Sequence, residues 1–210
     1  LMERQVARAI EEADHLLFWA DLVGFMLGCE PFASNSLANR SLLFDLEAND
    51  WSDALLDWSG VPCGKLGKVM AGGEIAGVVD DLMADELGLP RGVEVVVGGH
   101  DQCVNALGAG AVEGGSAICG IGSFECVTPC FATPPERSKM LELGLNIEHH
   151  VLPDLYVSFI YNQGGTLIKW FRDTFVANAD VSYVTLEGEI PDNPTALLTL
   201  PYFEPTGAPQ

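Results

Sequence analysis

The run Val93-Glu94-Val95-Val96-Val97, followed at once by Gly98-Gly99-His100-Asp101, constrains the fold more than any other stretch of this chain. Its β-branched residues, interrupted only by Glu94, suit a central strand covered on both faces. Two glycines end the strand, and Gln102 to Gly110 reads as a short helix. Asp101 therefore stands where a strand gives way to a helix. In open α/β sheets that is a site-forming position, because side chains there face the ligand crevice.

The flanking pattern supports an α/β chain. Leu16, Ala20, Val23 and Leu27 recur at helical spacing, so Asp14 to Leu27 reads as an amphipathic helix with Asp14 as N-cap and Gly28 as its stop. A polar stretch through Ser34, Asn35, Ser36 and Asn39 leads to an extended piece at Ser41 to Leu46, and Trp51 to Trp58 forms a short helix ended by Gly60. The chain turns at Gly72-Gly73, and Ile75 to Leu87 has the apolar spacing of a helix capped by Gly88. Beyond Gly114-Gly115 the pattern becomes a hairpin. Ser116 to Cys119 and Phe124 to Thr128 flank Gly120-Ile121-Gly122-Ser123. A loop at Thr133-Pro134-Pro135-Glu136, a strand at Tyr156 to Tyr161 and a helix from Thr166 to about Val176, opened by Gly164-Gly165, complete the reading; the tail from Ser182 is mixed. The change of pattern near Val112 to Gly115 marks a domain boundary, and no tandem repeat is visible.

Composition narrows the function. Of 210 residues, 48% are hydrophobic and 19% charged, enough apolar side chain for a packed core. Ten Lys and Arg against 30 Asp and Glu give a net charge of −20, which repels nucleic-acid phosphates and, more weakly, anionic membranes. Asp21 and Glu30 bracket the most apolar helix, so no membrane span is expected, and Leu1-Met2-Glu3-Arg4 does not open a signal peptide. A soluble, cytoplasmic protein is the expectation. The six cysteines, Cys29, Cys63, Cys103, Cys119, Cys126 and Cys130, form no Cys-x-x-Cys pair and read as buried free thiols.

Asp101 is the first candidate for chemistry. A carboxylate there can act as general base on a hydroxyl, with Gln102 orienting it; spacing by itself leans to the rival reading, an N-cap that satisfies a free N–H of the next helix. Gly120-Ile121-Gly122-Ser123 suits either an anion cradle of backbone N–H groups or an ordinary turn. Gly164-Gly165 suits a nucleotide-facing helix start or a plain turn. His149-His150 has no metal-ligand spacing, and no metal site is assigned. Trp19, Trp51, Trp58 and Trp170 read as core. His100 either touches substrate or caps the strand end.

Taken in order, these pieces resemble the FGGY family of carbohydrate kinases. The resemblance rests on Trp19-Ala20-Asp21-Leu22, on Ser36-Leu37-Ala38-Asn39-Arg40 leading to Asp45 and Trp51, on Gly73 to Gly77, and on Gly88-Leu89-Pro90-Arg91-Gly92-Val93 running into Gly98-Gly99-His100-Asp101. Asn162-Gln163-Gly164-Gly165 with Lys169-Trp170-Phe171-Arg172-Asp173 is similar to the nucleotide-side turn and helix of the family. One departure stands out. Ile121 replaces the Thr usual in the family's phosphate hairpin, which removes a hydroxyl.

The resemblance implies an actin-like, ribonuclease-H-like two-domain α/β fold, present only in part. Residues 1–112 would be the rear of the first, substrate-side domain, and 113–210 the front of the second, nucleotide-side domain. Leu200-Pro201-Tyr202-Phe203-Glu204 resembles a segment that continues in family members. The amino-terminal Asp-x-Gly-Thr/Ser hairpin and the later adenine motif are absent, so the piece alone is expected to be poorly soluble or inactive. By the same resemblance Asp101 is the catalytic base, and Gln102 and His100 lie beside the sugar. Gly120, Ile121, Gly122, Ser123, Gly165 and Lys169 lie beside the nucleotide. The implied activity is phosphorylation of a sugar or polyol hydroxyl by ATP with Mg2+, with the small sugar and ATP/ADP as partners and self-association left open. The alternative is a noncatalytic sugar- or nucleotide-sensing protein, which Ile121 motivates; a third reading is a structural domain in which Asp101 only caps a helix.

Overall fold

The computed structural model describes residues 2–176 and 181–198. The stretch Leu200 to Glu204 lies outside the described residues.

The chain opens with helix α1 (Met2–Glu12), followed by α2 (Trp19–Met26). Helix α2 starts later than the apolar spacing predicts. Lys65 Nζ donates to the carbonyls of Ile10 and Glu11, both at 2.7 Å, which terminates α1. Leu16 then pairs with the Lys65–Leu66 segment, its N–H donating to the Lys65 carbonyl at 2.8 Å. Asp14 is thereby drawn away from the helix, and Phe18 takes the N-cap place. Gly28 does follow the last turn, with φ +105.

Next come β1 (Phe32–Ser34), α3 (Asn35–Ala38), β2 (Phe44–Asp45), β3 (Asp50–Trp51), α4 (Asp53–Ser59), β4 (Lys68–Met70), β5 (Ile75–Val78), α5 (Asp81–Leu87), β6 (Glu94–Val96) and α6 (Asp101–Gly108). Strand β1 runs parallel to β4, and β5 runs antiparallel to β6. Of the extended piece expected at 41–46, only Phe44–Asp45 is strand, paired with β3. Helices α4 and α5 end at Gly60 and Gly88 in the left-handed region, as the glycine signal predicts.

Two expectations are corrected here. Ile75 to Leu87 is a strand and then a helix, because Gly77 sits in the strand against Cys29, where a Cβ would come within 3.0 Å of its Sγ, and Asp80 caps α5 by accepting the Leu82 N–H at 2.8 Å. Strand β6 is not covered on both faces. Glu94 and Val96 are exposed, Val95 is half-buried, and among the described residues β6 pairs only with β5. The buried residue is Val97, just past the strand, which packs with Cys29 and Phe32.

The rest of the chain builds an antiparallel five-stranded sheet from β7 (Ala117–Ile121), β8 (Phe124–Phe131), β9 (Glu148–His149), β10 (Tyr156–Val157) and β11 (Ile160–Gln163). Three helices accompany it: α7 (Arg137–Glu142), α8 (Gly165–Phe175) and α9 (Tyr183–Gly188). The single strand expected at Tyr156 to Tyr161 is split. Asn146 Oδ1 accepts the Phe159 N–H at 3.0 Å and the Ser158 hydroxyl at 3.3 Å, pulling those residues out of the ladder.

Strand β8 alternates, with Cys126, Thr128 and Cys130 buried. These cysteines pack with Val157, Phe159 and, from α6, Cys103 and Ala106. The helix that begins at Asp101 is thus seated on the sheet that follows it. Among the cysteines, Cys63 and Cys119 are exposed, which corrects the expectation of six buried thiols. Trp19 and Trp58 are 85% and 86% exposed and are not core, whereas Trp51 donates its indole N–H to the Gly67 carbonyl at 2.9 Å. No helix of the described residues is long and apolar enough to cross a membrane.

Candidate active site

The backbone between β6 and α6 approaches β1 closely enough to need glycine. Gly99 has φ +136, and a Cβ there would overlap Ser36 Oγ and lie 2.7 Å from Ser34 Oγ. Those two buried hydroxyls are 2.9 Å apart, and Ser36 Oγ accepts the His100 N–H at 3.0 Å. The entry to α6 is therefore pinned on the end of β1. His100 takes the N-cap place, and Asp101 is the first helical residue.

That placement answers one question about Asp101. Its side chain is 86% exposed, and Oδ1 accepts the N–H of Gln102, the second helical amide, at 2.8 Å, so one carboxylate oxygen is engaged at the helix start while Oδ2 has no hydrogen bond among the described residues. Asp101 lines a cavity of about 470 Å³ together with Asp21, Phe32, Gly98, Gly99 and Val104.

Asp21 is the site carboxylate that the sequence reading gave no role. It is 2% exposed, and Oδ1 accepts the Ser34 N–H at 3.3 Å while Oδ2 has no partner among the described residues. Burial pushes its pKa up to about 6, partly offset by the Ser34 bond. The signal was present in the sequence as an acidic residue inside an otherwise apolar helix, Trp19 to Met26.

His100 lies between two carboxylates. Nε2 is 3.3 Å from Asp101 Oδ1, and Nδ1 is 3.8 Å from Glu148 Oε2. The ring packs edge-on against Phe159 at 4.9 Å. Burial holds the imidazole below its ordinary pKa; Glu148 and Asp101 pull it upward and Arg40 downward. Glu148, on β9, is buried; its Oε1 accepts from Arg40 Nη1 at 2.5 Å and from Asn146 Nδ2 at 2.6 Å. His149 and His150 are buried and held below the usual imidazole range by desolvation.

The hairpin and the α8 helix start, two separate candidates in the sequence, meet. Gly165 N–H donates to the Gly122 carbonyl at 2.8 Å, and the Thr166 N–H and hydroxyl donate to the Ser123 carbonyl at 3.3 and 3.0 Å. Hairpin carbonyls, not an anion, thus meet the first amides of α8. Ile121 is 77% exposed at the hairpin tip. Lys169, one turn into α8, is paired with Asp173.

The hairpin also neighbours the helix of Asp101. A Cβ on Gly120 would lie 3.4 Å from Asn105 Nδ2, and Asn105 follows Asp101 by four residues, on the same helix face. Among the described residues no group of three or more His, Cys, Asp or Glu is arranged to hold a metal.

The model of the N-terminal domain of the FGGY family of carbohydrate kinases matches residues 2–108. An autoinducer-2 kinase of Escherichia coli (strain K12) is 32% identical over 170 residues, 79% of this chain and 31% of the relative. An autoinducer-2 kinase of Klebsiella pneumoniae is 31% identical over 165 residues, 75% of this chain and 29% of the relative. Among solved structures, a xyloylose kinase from Brucella ovis superposes with a TM-score of 0.85 at 22% identity, covering 99% of this chain and 42% of that one. A xylulose kinase from Rhodospirillum rubrum gives 0.75 at 20% identity, covering 85% and 36%. These structures show the shared α/β fold. The chain spans about a third of the length of the curated relatives it matches.

Proposed function

The chain belongs to the FGGY family of carbohydrate kinases, and on that premise we propose that it carries the catalytic base and part of the nucleotide side of a kinase that transfers phosphate from ATP to a hydroxyl of a small sugar or polyol. The observation that carries this reading is the Asp101 carboxylate, which lines the 470 Å³ cavity with only Oδ1 engaged at the helix start among the described residues, on the helix face that meets the Gly120 hairpin.

Asp101 removes the proton of the acceptor hydroxyl. The alkoxide-like oxygen attacks the γ-phosphorus in line, the bond to the bridging oxygen breaks, and ADP leaves. Gln102 and His100 stand beside the base on the sugar side. Gly120, Ile121, Gly122, Ser123, Gly165 and Lys169 form the nucleotide side. Ile121 supplies no hydroxyl, so Ser123 is the side-chain donor at the hairpin tip. Mg2+ bound with the nucleotide would offset the negative charge of the phosphates; no cluster of the described residues is assigned to hold it.

The lobes divide near 112–115, with 1–112 on the substrate side and 113–210 on the nucleotide side; the family match ending at residue 108 supports this. Use of ATP argues for work in the cytoplasm, with the small sugar and ATP/ADP as partners.

The test is sugar-dependent ADP release by the whole protein against autoinducer-2, xylulose, gluconate and glycerol, the acceptors named for relatives and structural neighbours. Asp101→Asn should lower kcat at least 100-fold, the order expected for loss of a general base, while calorimetry still shows acceptor binding. Near-normal turnover overturns the assignment. Saturable binding with no ADP release from the unmodified protein would favour the sensing reading that Ile121 motivates.

A further inference from the structure

We propose that Glu148 is a positioning residue for Asp101, acting through the imidazole of His100; the inference rests on Asp101 being the base. The geometry starts from an unpaired atom. Glu148 Oε1 is engaged by Arg40 and Asn146, but Oε2 is buried without a hydrogen-bond partner among the described residues and faces His100 Nδ1 at 3.8 Å. Leaving a buried carboxylate oxygen unsatisfied is costly, so the favoured ring state directs Nδ1–H at it. Among the described residues the other polar group beside Nδ1 is the Cys103 thiol at 4.0 Å, whose S–H donates to the His149 carbonyl at 3.7 Å.

The ring is also held on its remaining sides. Its backbone N–H is tied to Ser36, Phe159 meets its edge, and Arg40 lies 6.0 Å from the Phe159 centroid. The charged or titratable groups around it are Asp101, Glu148, Arg40 and Cys103.

A bond at one ring nitrogen decides what the other offers. With Nδ1–H given to Glu148, Nε2 turns a lone pair toward Asp101 Oδ1 at 3.3 Å. Two acceptors facing each other raise the proton affinity of the pair, and the proton taken from the substrate hydroxyl relieves that repulsion. When Asp101 takes it, the substrate O–H bond breaks and a carboxyl O–H forms that can point at Nε2. In the opposite tautomer Nε2–H would donate to Asp101 and weaken it as a base. Glu148 thus selects the tautomer that makes Asp101 more basic. It reaches His100 from β9, beyond the proposed lobe boundary.

The experiment uses the whole protein, the best acceptor of the panel, and the variants E148Q, H100Q, H100Q/E148Q and D101N. E148Q should lower kcat about 10- to 100-fold, the range for loss of an orienting partner, with KM for acceptor and ATP within about twofold. The acid limb of its kcat/KM profile should move to lower pH. The double variant should be no slower than the slower single variant, since both act through one ring. Nitrogen-15 spectra of labelled histidines, read without substrate, should show His100 protonated at Nδ1, and at Nε2 in E148Q.

Wild-type kcat in E148Q, multiplicative losses in the double variant, or Nε2 protonation of His100 in the unmodified protein overturns the inference. Should E148Q fail to fold, the unmodified ring spectrum decides alone. An active D101N overturns the assignment of the base itself. An inactive D101N beside a fully active E148Q overturns only the role of Glu148.

Discussion

Gly165 and Gly122 are joined backbone to backbone at 2.8 Å, so the first turn of α8 is closed by the tip of the β7–β8 hairpin. A Cβ on Gly165 would sit 2.8 Å from the Gly122 carbonyl oxygen, an atom that cannot swing aside as a flexible side chain can. Gly165→Ala should therefore push the two apart. The expected result is a loss of roughly 1–3 kcal/mol in urea unfolding and a higher KM for ATP with the acceptor KM unchanged. An unchanged ATP KM would remove this junction from the nucleotide side.

Asp21 should make stability fall as pH rises. Its pKa in the folded protein is about 6 against an ordinary 3.8, so the folded state holds the proton through a window in which the unfolded chain has released it. The stabilisation is complete below about pH 4 and is lost as pH passes 6. At about 1.4 kcal/mol per pKa unit the effect is roughly 3 kcal/mol. Asp21→Asn keeps an acceptor for the Ser34 N–H and cannot ionise. Urea unfolding from pH 4 to 7.5 should show the variant gaining on the parent protein across that window; a constant difference would contradict the assignment.

Two neighbouring glycines should respond differently to the same change. Gly99→Ala forces a side chain into the left-handed φ region and against the Ser34 and Ser36 hydroxyls, with an expected cost of roughly 2–4 kcal/mol. Gly98 has no atom within 4 Å of a built Cβ and no positive φ, so Gly98→Ala should stay within about 1 kcal/mol of the parent. Equal effects in thermal melts would show that close approach to β1 does not set the entry to α6.

Much of the local architecture was legible because its causes act within a few residues. Gly60 and Gly88 stop helices by accepting a left-handed backbone, and the hairpin around Gly120 to Ser123 was legible too, although Gly120 and Ile121 pair with Cys126 and Glu125 in the ladder and only Gly122-Ser123 make the turn. The strand-to-helix step at Asp101 was equally plain. Ile75 to Leu87 misled because its apolar spacing suits a helix, while Cys29 and strand β6 favour an extended start. Asp14 misled because Lys65, distant in sequence, ends α1 by taking its terminal carbonyls.

The site divides in the same way. The sequence by itself determined that a carboxylate would open the helix after β6 and that glycine-rich backbone would form a hairpin tip, since both follow from local φ/ψ preference and side-chain pattern. Only the tertiary structure decided that His100 would stand between Asp101 and Glu148, that Arg40 would reach across 108 positions to Glu148, and that Asp21 would lose its water. The reason is physical: backbone preference acts over a few residues, whereas desolvation and charge pairing depend on which distant segments the fold brings together.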